Sequence, residues 1–246
     1  VWRGGEPDGP TAGWADPPAG ATALALEDDG VSDAIPLGFD FAFVDGVYSQ
    51  MYVSANGVIG FAPFAGNSLA FARTCLPAPE TTGAAIAPLR VDLDPSKPGA
   101  RVSYAALPEG MLVSWEDVPL YNDSTQTLSF QALLQRDGRI SLRYKRLPPL
   151  PAGESASYGL QYRRGEAQTL GCQRDLGLRD GLTIELRPQP PASVWLQPEA
   201  TVGQVAPGET DELRLVARWA RPSPQGWPYS ADLLISTNDP LQPRLR

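Results

Sequence analysis

Residues 35–64 read IPLGFDFAFVDGVYSQMYVSANGVIGFAPF, and the alternation inside them decides the fold. Ile35, Leu37, Phe39, Phe41 and Phe43 take every odd position, with Pro36, Gly38, Asp40 and Ala42 between them. A period of two with bulky apolar residues on one side is a strand laying one face on a core. Asp45-Gly46 and Asn56-Gly57 are turn signals around a second strand, Tyr48–Ala55. Asn and Gly tolerate positive φ, so Asn56-Gly57 reads as a two-residue hairpin loop, with Val58–Phe61 returning as the next strand. The stretch predicts the hydrophobic centre of an all-β domain.

Composition agrees. Of 246 residues, 42% are hydrophobic, enough for a sizeable core. The 24 glycines and 26 prolines are spread without a repeat, which interrupts helices and suits short strands joined by turns. No apolar run approaches the ~18 residues of a bilayer-spanning helix, so no membrane insertion is expected. The sequence starts at Val1 with no signal peptide, which suggests a piece of a longer precursor.

The net charge is −8 and no more than two basic residues are adjacent, so a nucleic-acid partner is not expected. There is no histidine. That removes the commonest general base, the His of a nucleophile triad and the imidazole ligands of most zinc sites. No Gly-x-Ser-x-Gly is present. The expectation is a protein that is not an enzyme and carries no cofactor, Ca²⁺ excepted.

Either side of the opening stretch, residues 1–34 read as a mostly irregular segment pinned by Trp2 or Trp14, with a first strand within Ala21–Leu26. Asn67–Arg73 suits a helical turn or a strand, and Ala84–Val91 a buried strand ending in Asp92-Leu93-Asp94-Pro95. Arg101–Ala105 and Met111–Trp115 form a hairpin with Met111, Val113 and Trp115 on one face.

The next hairpin fixes its own register. Leu128, Phe130, Ala132 and Leu134 must share a face with Ile140, Leu142 and Tyr144. A two-residue loop at Asp137-Gly138 would set the two groups on opposite faces. A three-residue loop, Arg136-Asp137-Gly138, pairs Leu134 with Ile140, Ala132 with Leu142 and Phe130 with Tyr144. Strands at Ser157–Tyr162 and Leu182–Leu186 follow, the second after a loop carrying Cys172. The roughly ten strands up to Arg187 predict a jelly-roll-like β-sandwich over residues 1–187. Residues 188–191 (PQPP) read as a linker. Residues 192–246, with Leu213, Leu215, Ala217 and Trp219 alternating against polar neighbours, predict a second, smaller Ig-like sandwich. It is incomplete against the ~100 residues such a fold usually has.

The ordered blocks EDDG, IPLGFDFAFVDGVYSQMYVSANGVIGF, IAPLRVDLDPS, LVSWEDV, LSFQALLQRDGRISLRY and YGLQY resemble a nidogen-like β-sandwich domain of large secreted bacterial proteins. Two departures stand out: Phe43-Val44-Asp45-Gly46 where Phe-Tyr-Gly is common, and Arg90 where Trp is frequent. The tail WLQPEATVGQVAPGETDELRL…YSADLLISTNDPLQP is similar to Ig-like modules of bacterial surface proteins, in which a further strand follows the Asn-Asp-Pro turn. The resemblance implies a secreted, extracellular, non-catalytic module at a bacterial cell surface, acting in adhesion or in surface or filament assembly. The alternative it implies is an accessory domain of a secreted subtilisin-type protease. Partners would be other protein chains or surface glycans.

Within that setting four groups of residues are candidates. Asp28, Asp29, Asp33, Asp92 and Asp94 offer hard oxygens for Ca²⁺, or cap turns through their own backbone. Cys75 and Cys172 are two unpaired thiols or, in an extracellular protein, one disulfide. Tyr48, Tyr52, Tyr121, Tyr158 and Tyr162 form a carbohydrate-stacking surface or serve as core and cross-strand residues. Leu233, Ile235, Leu241 and Leu245 would line the open edge left where the tail's last strand is wanting, whether cut off at the boundary of the sequence, removed by proteolytic maturation, or supplied as a partner strand, with a homo-oligomer as one outcome.

Overall fold

The computed structural model describes residues 2–3, 13–43, 46–65, 74–152, 154–163, 166–173, 176–186, 196–198, 205, 210, 212–217, 235–236 and 244–245. Among these all regular structure is β, and no helix is long and apolar enough to cross a membrane. The chain divides into two compact units, Val1–Pro188 and Gln189–Arg246.

In chain order the first unit contains β1 (Trp2–Arg3), β2 (Thr22–Leu24), β3 (Ile35–Phe43), β4 (Gly46–Val53), β5 (Ile59–Gly60), β6 (Ala85–Arg90) and β7 (Arg101–Leu107). It continues with β8 (Gly110–Leu120), β9 (Asp123–Gln135), β10 (Ile140–Arg146), β11 (Ala156–Arg163), β12 (Glu166–Gln173) and β13 (Thr183–Leu186). One antiparallel sheet runs β1-β13-β10-β9-β8-β7-β2 and the other β12-β11-β6-β5-β4-β3, forming a sandwich without a closed barrel.

The alternation over residues 35–43 appears as predicted: Ile35, Leu37, Phe41 and Phe43 are buried, Phe39 half-buried, and the residues between them exposed. Their rings meet Phe61 and Tyr48 in a stacked cluster, with Tyr48 and Phe61 4.5 Å apart. From the other sheet Trp115 and Phe130 stack at 5.0 Å in the same core. Tyr144 on β10 meets Tyr158 on β11 edge to face and donates to the Pro88 carbonyl at 2.8 Å, joining the sheets by a polar contact.

The β9–β10 register is the one derived above: Ile140 pairs with Leu134, Leu142 with Ala132 and Tyr144 with Phe130. Gln135 N–H bonds to Arg139 C=O at 2.8 Å, Gly138 N–H bonds to Gln135 C=O at 2.9 Å, and Gly138 has φ +83°. The Asn56-Gly57 turn departs from the two-residue expectation and repeats this pattern. Ser54 N–H bonds to Val58 C=O at 2.8 Å, Gly57 N–H bonds to Ser54 C=O at 3.3 Å, and Gly57 has φ +71°. The loop is Ala55-Asn56-Gly57, and the reason is parity. Val53 and Ile59 both face the core and pair with each other, which a two-residue loop at 56–57 would prevent. A side chain at residue 57 would also collide with the Leu89 carbonyl oxygen.

Other expectations are corrected. Trp2 does tie the N-terminal segment to the seven-stranded sheet, through the backbone pairing of β1 with Glu185 of β13, but a second tie, at Ala15, lies outside the expectation. Gln131, fully buried on the outer face of β9, accepts Ala15 N–H at 3.3 Å and donates to Ala15 C=O at 2.6 Å. Trp14 beside it donates to Asp16 at 2.8 Å and meets the sheet through the Lys145 ammonium of β10, 5.1 Å from its ring centroid. Residues 166–173, read as part of the Cys172 loop, form the edge strand β12. Asn67–Arg73 lies outside the described residues.

The second unit shows β14 (Leu196–Pro198) paired with β15 (Leu215–Ala217), and β16 (Ile235–Ser236) paired with β17 (Arg244–Leu245). Leu213 and Leu215, expected to face inward, are exposed. Ile235 and Leu245 pair with each other across β16 and β17, while Leu233 and Leu241 lie outside the described residues.

Candidate functional site

Three loops meet at one end of the first unit, and the residue that joins them is Asn56. The residue is 3% exposed. Its Nδ2 donates to Asp29 Oδ1 at 2.7 Å, and its Oδ1 accepts Leu93 N–H at 2.8 Å. Its own N–H bonds to Ser54 Oγ at 3.1 Å. One amide thus ties the Glu27–Gly30 turn, the β4–β5 turn and the segment after β6.

Backbone contacts complete the junction. Ala55 N–H bonds to Gly30 C=O at 2.8 Å, and Tyr121 N–H to Asp92 C=O at 3.0 Å. From below, buried Trp115 donates its indole N–H to Ser54 C=O at 3.1 Å. Asp29 holds φ +57°, a left-handed conformation that Asp tolerates better than most residues.

On this frame Asp28, Asp29 and Asp92 converge, each with an oxygen within 4.8 Å of the others. Burial, followed by the charges of Asp29 and Asp94, pushes the Asp28 carboxyl above the ordinary carboxylate range. The donor set is all hard oxygen, the chemistry that Ca²⁺ prefers, and a cation here would relieve the mutual repulsion.

The other two predicted ligands do different work. Asp94 is buried and turns to its own loop, accepting Ser96 N–H at 3.1 Å and Lys97 Nζ at 2.7 Å. Burial alone would raise its pKa, but Lys97 and Ser96 outweigh that and hold it below the usual range. Asp94 is therefore a turn cap, and Asp33 is exposed and stands outside the convergent group.

The five tyrosines share no single surface. Tyr158 is fully buried, Tyr48 packs on Phe61, and Tyr52 and Tyr162 are half-buried on the six-stranded sheet. Tyr121, at 51% exposure, alone among them stands well into solvent, on the turn that bonds to Asp92. It is the aromatic group the acidic end can offer a ligand.

Away from this end the loop 74–83 is fastened onto the outer face of the six-stranded sheet. Cys75 and Cys172 form a disulfide with Cα atoms 5.5 Å apart, joining the loop to β12. Arg90, with no exposed surface, makes a bidentate pair with Glu80 at 2.6 and 3.2 Å and donates to Thr74 C=O at 2.8 Å. Buried Gln161 accepts Ala78 N–H at 2.7 Å and donates to Thr81 Oγ1 and the Gly83 carbonyl. Leu76 and Ala78 thereby cover Ala85, Ala87 and Val58 in a second small core.

A family described as NIDO related matches residues 11–175, which hold β2 to β12 and the Asn56 junction and leave β1 and β13 of the seven-stranded sheet outside. The chain belongs to the NIDO-related family. No curated protein and no solved structure matches it. A NIDO-related domain with a disulfide is compatible with an extracellular location and with a binding or structural module. Within this NIDO-related domain sequence reasoning missed Asn56, read only as a turn former. An Asn beside Gly signals a hairpin and carries no mark of what its side chain reaches 37 positions away.

Proposed function

We propose that this chain is a non-catalytic extracellular module that binds a partner through the loop end built on Asn56, in adhesion or cell-surface assembly. The observation that carries the reading is the junction itself: three loops are locked by one buried amide, and they present Asp28, Asp29, Asp92 and Tyr121. Binding residues on loops held by a rigid β-scaffold are the usual arrangement for recognition. Family membership over residues 11–175 and the Cys75–Cys172 bond support the extracellular part.

The partner is a surface glycan or another protein chain. A Ca²⁺ ion at the three carboxylates would preserve the loop geometry and ligate partner oxygens, while Tyr121 supplies an aromatic face. The test immobilises the chain and presents a glycan panel and surface-protein extracts with Ca²⁺ and with chelator. Binding that is lost in Tyr121→Ala and Asp92→Asn supports the reading. Binding unaffected by both, or turnover in a hydrolase screen, removes it. A protease domain elsewhere in the full gene product would assign the module the accessory role instead.

A further inference from the structure

The fold demands both Asn56 and Gly57, and an asparagine followed by glycine is the pair most open to intramolecular deamidation. Asn56 is required as the junction of three loops. Gly57 is required because it holds φ +71° and a Cβ there would collide with the Leu89 carbonyl oxygen. Packing thus leaves the peptide nitrogen after Asn56 with no side chain to shield it. The other asparagines, Asn67, Asn122 and Asn238, are followed by Ser68, Asp123 and Asp239.

Deamidation joins the Gly57 nitrogen to Asn56 Cγ. The Cγ–Nδ2 bond breaks, the Gly57 N–H proton leaves with that nitrogen as ammonia, and a succinimide ring remains. Water then opens the ring, at Cγ to give aspartate or at the main-chain carbonyl to give isoaspartate. In the closed structure the reacting groups are held elsewhere. Asn56 Nδ2 donates to Asp29 Oδ1 at 2.7 Å, Asn56 Oδ1 accepts Leu93 N–H at 2.8 Å, and Gly57 N–H bonds to Ser54 C=O at 3.3 Å. Attack takes the Gly57 nitrogen off Ser54 and turns Cγ toward it, away from Asp29 and Leu93.

We infer that Asn56 is a self-modification site gated by its Asp29 and Leu93 contacts: it converts when the loop end opens, and conversion keeps that end open. Aspartate has no Nδ2 to return to Asp29 and sets an oxygen against its carboxylate. Isoaspartate lengthens the main chain inside the Ala55-Asn56-Gly57 loop, whose parity sets Val53 opposite Ile59. A transient opening is thereby made permanent. The inference rests on these contacts and on no ligand, so it stands or falls separately from the binding role proposed above.

Incubation of the chain at mildly alkaline pH in chelator, folded and in urea, tests it, with peptide mass spectrometry as the readout. Asn56 is expected to convert in both, about ten- to a hundredfold more slowly in the folded chain, because opening breaks buried hydrogen bonds. Asp29→Gly removes the acceptor and suits the φ of +57° at that position. It should raise the folded rate roughly three- to tenfold and leave the rate in urea unchanged. In the converted chain, and in Asn56→Asp, hydrogen exchange at the Leu93 amide should speed up while the β9 amides keep their protection. Equal rates folded and in urea, a folded rate indifferent to Asp29→Gly, or a Leu93 amide as protected after conversion as before would each overturn the inference. So would an Asn56 left intact in the folded chain after roughly a hundred half-lives of the reaction in urea.

Discussion

The Asn56 amide donates to the Asp29 carboxylate at 2.7 Å while its carbonyl oxygen receives the N–H of Leu93 at 2.8 Å, so a turn residue of β4–β5 fixes two loops it does not belong to. Asn56→Ala strands the buried Leu93 N–H and releases Asp29, at a cost of about 2–3 kcal/mol. Asn56→Asp keeps the acceptor for Leu93 but sets a carboxylate against Asp29. Its deficit should therefore shrink as pH falls and the pair takes up a proton. Urea unfolding of the two variants at neutral and mildly acidic pH measures both effects.

That junction also shows where sequence reasoning stops. The β9–β10 register could be read because two apolar sets had to share a face, and only an odd loop allowed it. The same parity argument on Val53 and Ile59 would have given the three-residue Ala55-Asn56-Gly57 loop, but the Asn-Gly pair suggested the shorter turn first. Strand β12 was passed over because an edge strand with few apolar side chains shows no alternation to read. Among the aspartates, Asp92 and Asp94 are equivalent as letters. Lys97 and Ser96 claim Asp94, and a long-range fold brings Asp92 to Asp28. The Gln131 clasp on Ala15, across 116 positions, is of the same kind: local pattern marks a strand position and nothing more.

Arg90 and Glu80 form a buried pair whose halves should be much less dispensable singly than together. Glu80→Gln leaves a guanidinium with no exposed surface short of its countercharge and should cost about 3–5 kcal/mol. Replacing both by Met, which leaves no buried charge, should restore much of that loss. A double-mutant cycle by chemical denaturation gives the coupling, and additive single losses would show that the pair is not a unit.

The disulfide closes 97 positions of chain, so its loss should be felt chiefly in the unfolded state. In the chain-entropy model that is worth about 4–5 kcal/mol. Gln161 and Arg90 hold loop 74–83 independently, so the native fold should survive in Cys75→Ser/Cys172→Ser with a lowered melting temperature. Equal melting temperatures with and without reductant would contradict this.

Glu116 on β8 gives a pH signature. Burial pushes its carboxyl up, the Asp117 and Asp16 charges add to that, and Arg101 and Lys145 only partly oppose it. With the folded pKa above the unfolded value of about 4.3, the native state binds more protons across the interval between them. Stability contributed by this group is thus present in acid and falls as pH rises through that interval. Glu116→Gln should abolish the fall and raise stability at neutral pH. Urea midpoints measured from acid to neutral pH check the sign.

Calcium should act through Asp28, Asp29 and Asp92. Asp28 is charged against its surroundings, with burial and the neighbouring carboxylates both disfavouring ionisation. Asp28→Asn should therefore stabilise the chain in chelator, because it removes a burial cost and a repulsion that the Asp29 N–H and the Lys97 charge only partly offset. In Ca²⁺ the order reverses. The wild type should gain about 2.7 kcal/mol at a hundredfold excess over the dissociation constant, and the variant should gain little. Melting curves of both proteins with chelator and with Ca²⁺ separate this from a generic salt effect, which would shift both alike. If the wild type shows no shift while Asp28→Asn is still more stable, the three carboxylates repel one another without holding an ion, and the loop end is set by Asn56 alone.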